Sequence, residues 1–343
     1  MIAAGGALAL GVAGGGVAWL LGLPLAWMLG PMIANTIAAM AGAPFDAPMR
    51  MRAVAMPVIG VLLGSRITRE VLVQAGDWWI SLVAMAFVLA AAAAVSVAFY
   101  LRVGRYDPVT AYCAGMPGGL ADMIALGAAL GGDERRIALA HATRILVVIC
   151  FVVGFYGIVL GVDRDSSGRG WVGLDALSVA DWAILGGCAV LGAPLGRMLR
   201  LPAPVIMGPM ILSGIAHVAG IVTVSPPTVV VSAALVVMGT TIGCRFAGAS
   251  GRMVLRDMGM GTVASSLMIA VTALCAWGVA TATGTPMGEI FLAYAPGGLT
   301  EMALLALATG QDVAYVTVAH LIRITAVVFA AGPGMALLRR RRG

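Results

Sequence analysis

The sequence predicts an all-α polytopic membrane protein made of two inverted repeats, each with about five transmembrane helices and one broken, re-entrant segment. Three observations lead there. The chain is 61% hydrophobic and 10% charged, with mean hydropathy +1.02, whereas a soluble domain carries about 25% charged residues. Apolar runs of roughly 20 residues recur from end to end, each long enough to cross about 30 Å of hydrocarbon. Finally, two stretches 179 residues apart repeat each other: "MPGGLADMIALGAALGGDERRIALAHATRI" (116–145) and "APGGLTEMALLALATGQDVAYVTVAHLIRI" (295–324). From Pro117 to Ile145 against Pro296 to Ile324, 13 of 29 positions are identical.

In chain order, the first run, 2–22, lacks a basic n-region and a persuasive cleavage site, so it is expected to remain as a helix. Helices follow at 24–43, 52–74, 78–101 and 136–161, and in the second half at 178–199, 202–221, 228–250, 257–281 and 314–337. Between the fourth and fifth helix of each half lies a segment, 108–131 or 287–310, split by Pro-Gly-Gly. Proline removes a backbone donor and glycine loosens the chain, so regular helix stops there. The repeat extends further: "LPLAWMLGPM" (23–32) answers "LPAPVIMGPM" (201–210), and "LLGSR" (62–66) answers "TIGCR" (241–245). Conserved order and spacing indicate an internal duplication. It comprises a first repeat over 1–162, a polar linker over 163–177 and a second repeat over 178–343.

Arginine placement chooses the topology, since all 21 basic residues are arginine. If the broken segments dip in and return, Arg50, Arg52, Arg102, Arg105, Arg135, Arg136, Arg197, Arg200, Arg252, Arg256 and the Arg339–Arg342 tail share one side. Only Arg69, Arg164 and Arg169 fall opposite. The positive-inside rule then favours re-entrant segments, inverted halves and both termini in the cytoplasm. Full crossing would scatter these charges on both sides. Trp78, Trp79, Trp171 and Trp182 fall near helix ends, as an interfacial belt requires. The +6 net charge is thus a topology signal, with no nucleic-acid footprint. Cys113, Cys150, Cys188, Cys244 and Cys275 lie singly in apolar runs and are expected to be small buried apolar residues without a metal.

The candidate site is the duplicated polar set. Pro117, Gly118 and Gly119, with Pro296, Gly297 and Gly298, open half-helices whose free N–H groups and positive dipole ends suit an anion. Alternatively, the freed carbonyls suit a cation. Asp122 and Glu301 lie in the first turn of those half-helices. They are either favourable N-terminal acids, arginine partners, or a proton or cation site. His141/Arg144 and His320/Arg323 are spaced i, i+3, so each pair shares a helix face. In the structural reading they pair with Asp122 and Glu301. In the functional reading the arginines grip a substrate carboxylate bidentately and the histidines couple protons. Asp133 and Asp312 are expected as N-caps. Arg66 and Arg245 are expected to snorkel, and the Gly-Pro-Met turns to kink their helices. His217 has no counterpart in the first half and receives no role.

These paired Pro-Gly-Gly-Leu, His-x-x-Arg and Leu-Pro…Gly-Pro-Met motifs resemble the AbrB family of bacterial membrane proteins over roughly residues 5–338. The resemblance implies an inner-membrane protein with two homologous halves and a transport role. Labels such as ammonia monooxygenase and transcriptional regulator travel with that family. A metal oxygenase needs clustered ligands, yet only three histidines exist, two of them beside arginines. A DNA-binding regulator needs a basic soluble module, and an ATP-driven pump needs the lysine of a phosphate loop, which this lysine-free chain lacks. The expectation is therefore a secondary active transporter of a small anionic metabolite such as a carboxylate, ion- or proton-coupled. It would be no enzyme and would use no cofactor, with the lipid bilayer and a small-molecule or ion substrate as its partners. Alternatives are a channel or transporter for a small cation or ammonia, and a membrane sensor. Abundant glycine also permits a homo-oligomer.

Overall fold

The computed structural model describes residues 2–23, 25–156, 171–201, 203–246 and 252–340. All regular structure in them is helical. Fifteen α-helices are described. In the first half they are α1 (Ile2–Leu20), α2 (Ala26–Met40), α3 (Met49–Gly64), α4 (Arg69–Gln74), α5 (Trp79–Arg102), α6 (Pro108–Gly115), α7 (Leu120–Ala129) and α8 (Glu134–Gly154). In the second half they are α9 (Val179–Met198), α10 (Pro204–Val218), α11 (Thr228–Gly243), α12 (Arg252–Thr283), α13 (Met287–Tyr294), α14 (Leu299–Ala308) and α15 (Val313–Arg340). Six helices are long and apolar enough to cross a membrane, within α1, α5, α8, α9, α11 and α12. The protein is a polytopic all-α membrane protein.

Several elements differ from the sequence expectation. α2 and α10 have 15 residues and α3 has 16, so each rises only about 22–24 Å at 1.5 Å per residue. Glycines with positive φ, Gly22, Gly42 and Gly220, close these helices or their neighbours early. The helix expected over 52–74 stops at Gly64, turns through Ser65–Thr68 and resumes as the short α4. α12 is longer than expected, at 32 residues. The polar junction 161–170, with Arg164 and Arg169, lies outside the described residues, as do Pro24, Pro202 and the tail residues Arg341 and Arg342. Cys113, Cys188 and Cys244 are buried as expected, but Cys150 is exposed on α8. A membrane helix can present an apolar thiol to lipid at no polar cost.

The chain forms two compact units that do not follow the repeat boundary. One comprises Met1–Gly76, Val153–Ser250 and Ala303–Ala314; the other comprises Asp77–Val152, Gly251–Met302 and Tyr315–Gly343. Each takes matching segments from both halves.

In the first unit, glycine sets the helix crossings. A Cβ on Gly30 would land on the Gly14 carbonyl of α1, and one on Gly208 would land on the Gly192 carbonyl of α9. The pairs α1/α2 and α9/α10 therefore touch backbone to backbone, as small residues allow in membranes. Between halves the contacts are reciprocal. Gly60 and Gly64 of α3 lie against the Ile206 and Met210 carbonyls of α10, while Gly239 and Gly243 of α11 lie against those of Met28 and Met32 in α2. Pro31 and Pro209 sit inside α2 and α10. Asn35 Nδ2 donates to Pro31 O at 2.9 Å and to Ala7 O of α1 at 3.1 Å, bracing that crossing. Ser213, on α10, donates to Val61 O at 2.8 Å. His217 Nδ1 donates to Ser213 O at 2.8 Å, a satisfied helix histidine.

In the second unit, α5 packs against α6, α12 and α13. Tyr294 of α13 and Tyr315 of α15 both donate to Ser81 of α5, at its carbonyl and hydroxyl, over 2.5 and 2.9 Å.

Overpacking a close helix crossing costs about 1–3 kcal/mol. Gly208→Ala should therefore lower the melting temperature of detergent-purified protein by that equivalent. Gly186 has open space around it, so Gly186→Ala should be neutral or stabilising by up to about 1 kcal/mol. Equal melting temperatures for the two variants would argue against the glycine crossings.

Candidate functional site

Each Pro-Gly-Gly break leaves carbonyls without helical partners, and the His-x-x-Arg motif supplies the missing donors. In α6 the carbonyl of Cys113 would normally bond the N–H four residues on, but that position is Pro117, which has none. His141 Nε2 fills the gap, 2.9 Å from Cys113 O. Arg144 then takes the next two free carbonyls. Its Nη1 donates to Met116 O at 2.8 Å and its Nη2 to Gly118 O at 3.3 Å. Met116 is already extended, with φ −72° and ψ 134°, and Gly119 caps α7 at φ −66° and ψ 137°.

The second half repeats this device at the matching atoms. Pro296 leaves Leu292 O unpaired, and His320 Nε2 lies 2.9 Å from it. Arg323 Nη1 donates to Ala295 O at 2.5 Å, and its Nη2 donates to Gly297 O. His141, Arg144, His320 and Arg323 are all buried, at 0, 5, 0 and 2% exposure. Such burial is tolerable because the guanidinium hydrogens meet carbonyls and not bare hydrocarbon.

The arginines therefore serve backbone carbonyls, and no ion pair joins them to Asp122 or Glu301 among the described residues. Both Nη atoms already hold backbone carbonyls, so neither arginine presents a free fork to a carboxylate. On each arginine the Nε–H is unused: Arg144 Nε and Arg323 Nε are both buried without a partner among the described residues.

The acids fold back over the cap glycines. A Cβ on Gly119 would meet Asp122 Oδ2, and one on Gly298 would meet Glu301 Oε2. The carboxylates lie close over these glycines, which do not adopt a positive φ. The two acids differ in environment, since Asp122 is exposed while Glu301 is only 7% exposed. A Cβ on Gly118 would strike Val327 of α15, so the first break abuts a helix of the second half. Reciprocally placed contacts join Tyr112 of α6 to Ala330 O of α15 at 3.3 Å and Phe291 of α13 to Phe151 of α8 at 6.1 Å.

The first broken segment re-enters. Asp133 N, beyond the end of α7, donates to Thr110 Oγ1 in the first turn of α6 at 2.8 Å. A Cβ on Gly127 would meet Ile137 first and Cys113 next, so the two half-helices run back along each other. Asp107 caps α6, accepting from Val109 N and Thr110 N at 3.0 and 2.9 Å. Asp133 and Asp312 cap α8 and α15 as expected, accepting from Arg136 N and Ala314 N. At the base of this hairpin lies Asp257, which sequence reasoning missed because it has no counterpart in the first half. It accepts from Tyr106 OH at 2.9 Å and lies 3.5 Å from Arg136 Nε, whose guanidinium sits 4.9 Å over the Tyr106 ring. Burial and the Asp257 carboxylate hold the Tyr106 phenol protonated far above the usual tyrosine range.

Comparison with known proteins places these features in context. A family profile described as "Transition state regulatory protein AbrB" matches residues 27–339. The chain is 25% identical over 314 residues to "Putative regulator AbrB" of Escherichia coli (strain K12), covering 92% of this chain and 90% of that one. It is 26% identical over 358 aligned positions to "Uncharacterized protein YhjN" of Bacillus subtilis (strain 168), covering 98% and 93%. No solved structure matches.

Arg144→Lys keeps the charge but not the fork that holds two carbonyls. It should cost roughly 1–3 kcal/mol, the penalty of a buried acceptor left unsatisfied. Asp122→Asn, on an exposed acid, should change stability by less than about 0.5 kcal/mol. Thermal unfolding of the two purified variants checks this; an unchanged melting temperature for Arg144→Lys would contradict the tie.

Proposed function

We propose, starting from a chain that belongs to the AbrB family, that it is a secondary active transporter of a small anion, a carboxylate being favoured. The site would lie between the two repeats, at the Pro-Gly-Gly tips. The observation that carries this is a charge imbalance. Two arginines are buried in apolar surroundings; of the two acids buried among the described residues, Asp257 is engaged by Tyr106 and Arg136, and Glu301 makes no ion pair. An uncompensated buried charge costs several kcal/mol, so a mobile anion is drawn to such a place. The two Nε–H groups are donors without a partner among the described residues, and the N-terminus of α7 has no side-chain cap bond. A proton or sodium ion that neutralises Glu301 removes the buried acidic charge that Tyr106 and Arg136 do not already engage. That gives a simple origin for coupling, because the coupled ion raises affinity for the anion. Asp122, His141 and His320 complete the polar set around the breaks.

In this reading the protein sits in the bacterial inner membrane, as the family likeness suggests, with both termini cytoplasmic, as the arginine distribution favours. No enzymatic step or cofactor enters this reading. A second reading, a path for a small cation or ammonia, draws on the same buried Glu301, which makes no hydrogen bond among the described residues. A sensor reading, suggested by the relatives' printed names, predicts binding without flux.

Glu301→Gln separates the first two because it removes charge at constant shape. Ligand binding to purified protein can be read as a rise in melting temperature with concentration. For an anion site the Gln variant should bind small carboxylates as well as or better than the parent, by roughly 2- to 10-fold. Loss of all binding in that variant, with ammonium or sodium stabilising only the parent, would assign the site to a cation.

A further inference from the structure

The two breaks share their scaffold and an open arginine Nε–H but differ at the histidine, and the difference points to the substrate's chemistry. In the first half, His141 Nε2–H is committed to Cys113 O, so Nδ1 carries a lone pair. Arg144 Nη2 lies 2.9 Å from that Nδ1 and donates to it. The ring is locked on both sides. In the second half, His320 makes the same Nε2–H bond to Leu292 O, which fixes the same tautomer. Here Arg323 Nη2 is turned to Gly297 O, and His320 Nδ1 is buried without a partner among the described residues. The second break thus holds two buried, unused polar atoms three residues apart on α15: an acceptor, His320 Nδ1, and a cationic donor, Arg323 Nε–H. Glu301, also buried, stands in the first turn of α14. Buried polar atoms of this kind are rare without a partner and are expected to find one.

We propose that the second break alone engages the substrate's functional groups and that the substrate is a small hydroxycarboxylate, the first break being a fixed brace. This inference rests on the anion-transport reading and narrows it. The carboxylate oxygen would accept from Arg323 Nε–H, and the hydroxyl would donate to His320 Nδ1. A hydroxyl suits that acceptor better than an ammonium does, because the Arg323 and Arg144 guanidinium charges oppose a third cation. An acid lacking the hydroxyl leaves the His320 lone pair buried and unpaired, and sites built on such a bond reject the analogue strongly.

The test is a matched-pair titration of purified, detergent-solubilised protein, reading melting temperature against concentration for lactate and propionate, and for malate and succinate. The hydroxy acid of at least one pair should bind about tenfold more tightly or better. His320→Gln keeps an amide nitrogen to hold Leu292 O but has no lone pair at the Nδ1 position, so the variant should fold and bind both members within about twofold. His141→Gln should keep the parent's discrimination even if its melting temperature falls. Equal binding within both pairs, or a preference that survives His320→Gln, would overturn the inference while leaving anion transport standing. Binding of neither acid in either pair, beside stabilisation by cations, would remove the anion reading and this inference with it.

Discussion

Everything distinctive about this protein follows from one constraint: a carbonyl freed at a helix break inside an apolar environment must find a donor. In each half, three carbonyls around Pro-Gly-Gly are held in this way. Cys113 O and Leu292 O lose their donors because Pro117 and Pro296 carry no N–H. Met116 O, Gly118 O, Ala295 O and Gly297 O face away from any helical ladder. A histidine and an arginine one turn apart answer all of them. The arginine is the only side chain with a rigid fork wide enough to take two carbonyls and still carry a spare N–H. Structural need and functional opportunity thus meet in one residue. Holding the break costs two buried positive charges, and that field is what an anion would feel.

The same logic sets the surrounding packing. A break can stay at membrane depth only if protein covers it, and the covering helices come from the other half, with Val327 against Gly118 and Phe151 against Phe291. In the other compact unit the breaks are absent and glycine works differently, removing Cβ atoms where helices of the two halves cross at backbone distance. The first unit is apolar backbone contact; the second is polar backbone repair. Duplicated sequence serves both, because reciprocal contacts let one evolved surface be used twice.

Much of this was legible in the residues. Hydropathy marked the long helices, and the Pro-Gly-Gly breaks were placed to the residue because proline and glycine act locally. Asp133 and Asp312 were readable as caps for the same reason. The partners of Arg144 and Arg323 were not legible. Side-chain letters suggest Asp122 and Glu301 as counter-ions, whereas backbone carbonyls have no letter, and only the arithmetic of proline's missing N–H would have revealed them. The unequal burial of Asp122 and Glu301 was hidden too, since the motif is nearly identical in both halves and burial depends on what packs around it. Asp257 escaped because the search followed duplication, and the matching position in the first half is Trp78. The short α2, α3 and α10 were overestimated because apolar runs continue past the point where the backbone turns.

The most direct test of the central claim is anion flux into proteoliposomes holding the purified protein, measured with a labelled hydroxycarboxylate under an inward proton or sodium gradient. The account predicts uptake above protein-free vesicles that depends on the ion gradient and is competed by excess unlabelled anion. Ligand binding without flux, or flux of ammonium that ignores added carboxylates, would contradict it.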